Sequence, residues 1–224
     1  MKNDHHECKV LLTHMLDLQK KLNTTIDPHW QKADQKYYRA IWIECAELTN
    51  YLNWKWWRYG KLNIKQIHLE LIDIFHFGLC DILTRWPEKK TLPEEVITAM
   101  SELLNKNKLI EPEIIFSCLE DFVSYSLETK QFNIIKFANL VKHCGMSLHE
   151  LFQLYVGKNI LNRLRQEEGY KRGTYQKIWG TREDNEWLVE LQAKIPFSME
   201  RYSSDIYLAL SSIYDEFFHH KFEK

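Results

Sequence analysis

Four carboxylates are the residues of this sequence whose types and spacing could do chemistry. Glu44 and Glu47 stand three apart in Ala40-Ile41-Trp42-Ile43-Glu44-Cys45-Ala46-Glu47-Leu48, a segment otherwise apolar. Glu70 and Asp73 repeat the interval inside residues 65–85, a run that is apolar around most of a helical wheel. At 3.6 residues per turn, Gln66, Glu70, Asp73 and Asp81 fall within about 80° of one another as a narrow polar stripe. Taken alone, that helix reads as a buried element with one wetted edge. The second acidic pair changes the weighting, because a carboxylate in apolar surroundings is costly unless paired or bound to a cation. Two helices each offering acids at i and i+3 can converge into one cluster, whose mutual repulsion raises pKa values unless divalent cations neutralise it. Hard oxygen donors so arranged suit Mg²⁺, with Mn²⁺ as a substitute. A di-iron bundle would need two Glu-x-x-His pairs. The chain offers only Asp73-x-x-His76.

A basic counterpart follows. Residues 155–177 hold Lys158, Arg163, Arg165, Lys171, Arg172 and Lys177 against Glu167 and Glu168, in a chain whose formal net charge is −1. Lys158, Asn162 and Arg165 recur at four and three, hence on one helix face, while Tyr170, Lys171, Tyr175 and Lys177 follow on a loop hinged by Gly169 and Gly173. Such an array could hold a polyphosphate by charge-assisted hydrogen bonds and close over it; the plain alternative is a solvated basic helix end. A Walker loop is excluded, because Gly157-Lys158 lacks the earlier glycine and runs into Asn159. An acidic metal site and a basic phosphate site together describe metal-assisted hydrolysis of a nucleotide.

The elements that must position these residues are helices. Only 7 Gly and 5 Pro punctuate 224 residues, which disfavours sheet folds with many turns. Apolar spacing predicts helices over 7–22, 37–52, 65–85 (closed by Trp86-Pro87), 150–166, 184–194 and 203–222, with a loop running to Gly180. Residues 88–150 carry weaker periodicity and are assigned to packing or dimer contacts within a single domain, 1–224. The near-zero charge removes the footprint of a duplex-DNA or membrane-surface binder. No apolar run approaches the ~20 residues of a membrane span, and the polar start MKNDHHECKV does not read as a signal peptide. Five scattered cysteines without a Cys-x-x-Cys pair read as reduced thiols of a cytoplasmic protein.

One ordered set of segments is more specific than any of these signals. It comprises Leu18-Gln19-Lys20-Lys21-Leu22-Asn23, Glu44-Cys45-Ala46-Glu47-Leu48, Trp54-Lys55 and Glu70-Leu71-Ile72-Asp73-Ile74-Phe75-His76-Phe77. It continues through Tyr155-Val156-Gly157-Lys158-Asn159-Ile160-Leu161-Asn162, Arg165-Gln166, Gly169-Tyr170-Lys171, Gly173-Thr174-Tyr175 and Glu183-Asp184-Asn185. In this the chain resembles the all-α, dimeric dUTP pyrophosphatases (dUTPases) of the helical NTP pyrophosphatase superfamily. The resemblance implies a multi-helix bundle with a central metal-binding core and a mobile phosphate-binding segment. It implies Glu44, Glu47, Glu70 and Asp73 as Mg²⁺ ligands, with Glu47 orienting the attacking water. Gln19, Asn23 and Trp54 would line the deoxyuridine pocket, and Lys158, Asn162, Arg165, Tyr170, Lys171 and Lys177 would contact sugar or phosphates. Without the resemblance, Gln19 and Asn23 read as a polar helix end and Trp54 as part of an aromatic core or dimer seam.

The implied reaction is cleavage of dUTP to dUMP and pyrophosphate, and of dUDP to dUMP and phosphate, by attack on the β-phosphorus in a homodimer. A sibling enzyme preferring another base, such as that of dCTP, and a helical regulatory protein without turnover are the alternatives. Arg172 departs from the family pattern, which tends to an acidic residue there. His76, beside Phe75 and Phe77, reads as a packed histidine.

Overall fold

The computed structural model describes residues 2–86, 92–105 and 110–219, and among them nine α-helices and one two-stranded hairpin. Helix α1 (Lys2–Ile26) is longer at both ends than its apolar spacing predicts. At its C-terminal end the Thr24 and Thr25 hydroxyls donate back to the Lys20 and Lys21 carbonyls at 2.8 and 3.1 Å. Trp30, on the short turn that follows, donates its indole N–H to Thr24 Oγ1 at 3.3 Å. Residues that would otherwise compete with the helix are thus satisfied on it.

Helix α2 (Tyr37–Thr49) ends three residues before the expected Leu52, because Asn53 takes a left-handed φ of +55° and the chain turns. Helix α3 (Ile64–Arg85) starts where Asn63 accepts the Gln66 amide. Its end at Arg85 agrees with the sequence, and Trp86 leaves the helical region at φ −132° and ψ 62°; Pro87 lies outside the described residues. Helices α2 and α3 pack along each other, so the two acidic pairs share one seam.

The weakly patterned middle of the chain is three helices, α4 (Glu94–Ser101), α5 (Pro112–Thr129) and α6 (Ile134–His143). They wrap an aromatic cluster around the buried side of α3, where Phe75 stacks on Phe137 at 5.0 Å and Phe122 and Phe132 fill the flanks. Helix α7 (Leu148–Glu167) opens with a capping box between Ser147 and Glu150, and it packs against both α1 and α3.

One expectation is corrected beyond α7. The stretch read as loop to Gly180 contains a hairpin of β1 (Ile178–Trp179) and β2 (Arg182–Glu183). Gly180, at φ +67°, supplies the left-handed residue the turn needs, and Trp179 is fully buried beneath it. Helices α8 (Asp184–Lys194) and α9 (Tyr202–Phe218) complete the bundle; the expected continuation of α9 to 222 extends past residue 219, outside the described residues. No helix among the described residues is long and apolar enough to cross a membrane.

The α3 seam carries its own test. A Cβ built on Gly78 would lie 2.5–2.7 Å from three atoms of the Phe132 ring, which is itself packed against Phe75, Phe122 and Phe137. Gly78→Ala is expected to destabilise the protein in urea unfolding. Overpacking costs about 1–3 kcal/mol, which outweighs the roughly 1 kcal/mol of helix propensity gained. Unchanged or increased stability would show that the ring is free to give way.

Candidate active site

The seam between α2 and α3 brings carboxylate oxygens of Glu44, Glu47 and Glu70 within 4.8 Å of one another. Glu70 is buried, Glu44 half-buried and Glu47 exposed. Burial, followed by the charges of Asp73 and Glu47, pushes the Glu44 carboxyl up to about 7. Burial again, then Asp73, Glu44 and Glu47, pushes the Glu70 carboxyl up to about 8. With two of its three carboxyls raised in this way, the cluster is a donor set that a hard divalent cation would relieve, so these residues fit Mg²⁺. Asp73, the fourth expected ligand, instead accepts Lys158 Nζ at 3.0 Å.

Lys158 projects from α7 and is buried, with a second contact to Asn185 Oδ1 at 3.2 Å. Beside it opens a cavity of about 640 Å³ lined by Glu44, Asp73, Lys158, Asn162, Arg165, Tyr170 and Lys177 at one end. Gln19, Asn23, His76, Phe77 and Cys80 line the other, with Trp30 and Tyr37 on the wall. A volume of this size suits a small organic ligand.

Arg165 is placed differently from a free phosphate clamp. Its guanidinium makes two bonds to Asp184, each 2.8 Å, and Nη1 donates to Asn162 Oδ1 at 3.0 Å. Asp184 also accepts the Tyr175 hydroxyl at 2.8 Å. Lys171 does not line the cavity; its Nζ reaches the Ile26 carbonyl at 3.0 Å, which ties the glycine-flanked turn to the end of α1. Gly169 (φ +91°) and Gly173 (φ +74°) bracket that turn. Trp54 does not line the cavity either, and packs edge-on against Phe116 and Trp57 at 5.5 and 5.4 Å. In this chain the indole on the cavity wall is Trp30.

At the far end, Gln19 sits in a network the sequence reading missed. Its Oε1 accepts the Tyr155 hydroxyl at 2.7 Å and His76 Nδ1–H at 2.8 Å. Its Nε2 donates to Asn23 Oδ1 at 2.8 Å and Cys80 Sγ at 3.2 Å. The Cys80 thiol donates to Asn23 Oδ1 at 3.3 Å. Two buried atoms, His76 Nε2 and Asn23 Nδ2, have no partner. Burial pushes the His76 imidazolium down to about 3, so the ring is neutral and Nε2 is a bare acceptor. The signal lay in intervals of four: Gln19 and Asn23 on one helix face, His76 and Cys80 on another.

A family model described as dUTPase matches residues 11–170, more than half of the chain. No curated protein matches it.

The two raised carboxyls predict how stability depends on pH. In the folded state they keep protons up to about 7 and 8, whereas in the unfolded chain they release them near 4.5. Their stabilisation is therefore complete below the unfolded value and lost as pH rises through 7 and 8. Buried neutral His76 acts in the opposite sense below its unfolded value of 6.5, so the measurement belongs above it. Metal-free protein should show a Tm that falls from pH 6.5 to about 9, and millimolar Mg²⁺ should flatten the slope by holding both groups ionised. A slope that persists in Glu44→Gln/Glu70→Gln would locate its origin elsewhere.

Proposed function

The chain belongs to the all-α dUTPase family and is a dUTP diphosphatase, and from that premise we propose that it is Mg²⁺-dependent and cleaves dUTP to dUMP and pyrophosphate by attack of water on the β-phosphorus. One observation carries the reading: Glu44 and Asp73 of the acidic seam line the same cavity as His76 and Asn23, each of which keeps one buried polar atom without a partner. Uracil fits the end they line. Its N3–H is a donor for His76 Nε2 and its O4 an acceptor for Asn23 Nδ2, so both orphan atoms would be satisfied at once.

Each residue then has a physical task. Glu44, Glu47, Glu70 and Asp73 would hold Mg²⁺, Asp73 exchanging its contact with Lys158. When bound, Mg²⁺ supplies charge for the phosphate chain and acidity for a water molecule. Glu47, the most exposed of the acids, orients that water and takes its proton. Lys158, released from Asp73, meets the charge that develops on the phosphoryl oxygens. Asn162, Tyr170 and Lys177 enclose the sugar and phosphates, and Lys171 latches the turn onto α1, excluding water. Arg165 acts through Asn162 while Asp184 compensates its charge.

Because the β-phosphorus is the one attacked, dUMP leaves and the γ-phosphate is dispensable, so dUDP yields dUMP and phosphate. A homodimer is part of the proposal. The exposed rings of Trp54, Trp56, Trp57 and Tyr59, in the loop after α2, offer an apolar surface of the kind that partners cover.

Activity is expected to vanish with EDTA and return with Mg²⁺, and Glu47→Gln should lower turnover by about 10²–10⁴. Hydrolysis in ¹⁸O water should place the label in pyrophosphate. Label in dUMP together with intact dUDP would mean attack at the α-phosphorus, and near-normal turnover of Glu47→Gln would remove that residue from the chemistry.

A further inference from the structure

The family match stops at residue 170, and the chain beyond it supplies the hairpin, α8 and α9. Helix α9 packs along α7 and grips the chain on both sides of the Gly169–Gly173 turn. Before the turn, the Tyr207 hydroxyl donates to Glu167 Oε2 at 2.8 Å, and His219 Nε2 lies 3.5 Å from a carboxylate oxygen of Glu168. After the turn, the Tyr214 ring lies flat on Tyr175, with 5.4 Å between centroids and 7° between planes. Tyr214 is itself fixed by Trp179, edge-on at 5.4 Å, and by Phe218 at 4.6 Å. Two glycines at positive φ give the turn conformational freedom. The contacts from α9 remove that freedom at each end.

From Tyr175 the constraint runs to the cavity. Its hydroxyl donates to Asp184 Oδ2 at 2.8 Å. Burial, followed by the charge of Asp184, pushes that hydroxyl above its ordinary range, so it stays protonated and remains a donor. Asp184 is fully buried and also takes the Arg165 guanidinium by two bonds of 2.8 Å. Arg165 Nη1 donates to Asn162 Oδ1 at 3.0 Å, and the Asp184 backbone N–H donates to the Lys177 carbonyl at 2.9 Å. Asn162, Arg165, Tyr170 and Lys177 line the cavity, whereas Tyr175, Asp184 and Tyr214 do not. One buried carboxylate is thus held from α7 and from the segment after the turn at once, and its orientation sets that of the fork it grips.

We propose that α9 is a splint for the phosphate-binding turn, and that Tyr214, acting through Tyr175, Asp184 and Arg165, is a positioning residue of the reaction that aligns Asn162. The proposal rests on the dUTP reading of the cavity and adds an element that substrate never touches. Contacts to the phosphoryl oxygens tighten as charge develops on them, so a loss of alignment appears in kcat more than in KM. The stack needs only a flat ring at 214, whereas the link to Asp184 needs the hydroxyl at 175.

The test measures kcat and KM for dUTP in wild type, Tyr214→Phe, Tyr214→Leu and Tyr175→Phe, each well below its Tm. Tyr214→Phe retains the ring and should stay within about threefold of wild type in both constants. Tyr214→Leu removes the ring, and Tyr175→Phe keeps it but loses the bond to Asp184. Each should lower kcat roughly 10- to 100-fold with KM changed less than about threefold. Wild-type kcat in either variant overturns the proposal, whatever happens to its Tm, and if Tyr214→Leu fails to fold, Tyr175→Phe decides alone. In a double-mutant cycle, Tyr175→Phe should cost less than about threefold once Asn162 is alanine, whereas losses that multiply overturn the route through Arg165.

Trypsin supplies a readout that needs no turnover. In Tyr214→Leu, cleavage after Lys171 or Arg172 should be at least about tenfold faster than in wild type while the other sites are cut at the wild-type rate. Equal rates at the turn overturn the splint. Absence of dUTP turnover by the wild type would strike the underlying reading, a result distinct from brisk turnover that survives loss of the Tyr214 ring.

Discussion

Burial of charge between α2 and α3 is the constraint on which the rest of the structure depends. A helix seam that must carry Glu44 and Glu70 cannot be closed by hydrophobic packing alone, since each carboxylate removed from water without a partner costs several kcal/mol. The chain answers with Lys158, delivered from α7 to Asp73 at 3.0 Å. That requirement fixes α7 against α3, and α1 against α7, so the long helices converge where the acids are. The aromatic cluster of Phe75, Phe122, Phe132 and Phe137 holds the opposite side of α3 rigid, so the acids face one direction. Stability comes from the apolar side of α3 and chemistry from the polar side, one turn apart on the same helix.

The same rule, that buried polar groups must be satisfied, explains the base end of the cavity. Gln19, Asn23, His76 and Tyr155 are all within a tenth of full burial, and a lone amide there would be destabilising. Linked to one another they satisfy all but two atoms, His76 Nε2 and Asn23 Nδ2. In the proposed function, recognition of the base would be the remainder of that structural solution. The neutrality of His76 belongs to the same logic, because a charged ring would present donors on both nitrogens and erase the difference between one base and another.

The acidic pairs, the helices that carry them and the basic face of α7 were legible in the sequence, because i, i+3 spacing inside an apolar run leaves few alternatives. The extent of α1 was not, since Thr24 and Thr25 look like a helix stop until their hydroxyls are seen bonded to the preceding turn. Nor was the hairpin at 178–183, where two residues per strand are too few for alternation to register. Trp54 and Trp30 illustrate the harder case. Both are indoles beside a helix end, and only the packing of Phe116 and Trp57 around one of them, against burial at the cavity wall for the other, separates their roles. His76 was read as a packed ring, and it is packed; that one of its nitrogens stays free follows from Gln19, 57 positions away, which no local pattern reveals.

The phosphate end shows why a basic segment does not by itself make a phosphate site. Three of the four cations expected there are committed within the fold. Lys158 is paired with Asp73, and Arg165 is held in a two-bond fork by Asp184, which Tyr175 also braces. Lys171 is spent on the Ile26 carbonyl. Lys177, packed against the Tyr170 ring at 5.7 Å, is the exposed cation still facing the cavity from that segment. A nucleoside triphosphate brings three to four negative charges, and a chain with a net charge of −1 meets them with little free positive charge of its own. The convergent acids resolve that deficit if they serve as the seat of divalent charge, so the cluster that looks repulsive toward phosphate is the means of attracting it. Asp73 joins the two halves of this arrangement. While it holds Lys158 the two charges are paired; in the proposed function, turning to the cation would free the lysine for the phosphoryl oxygens, so that assembly of the metal site and of the phosphate site would become one event.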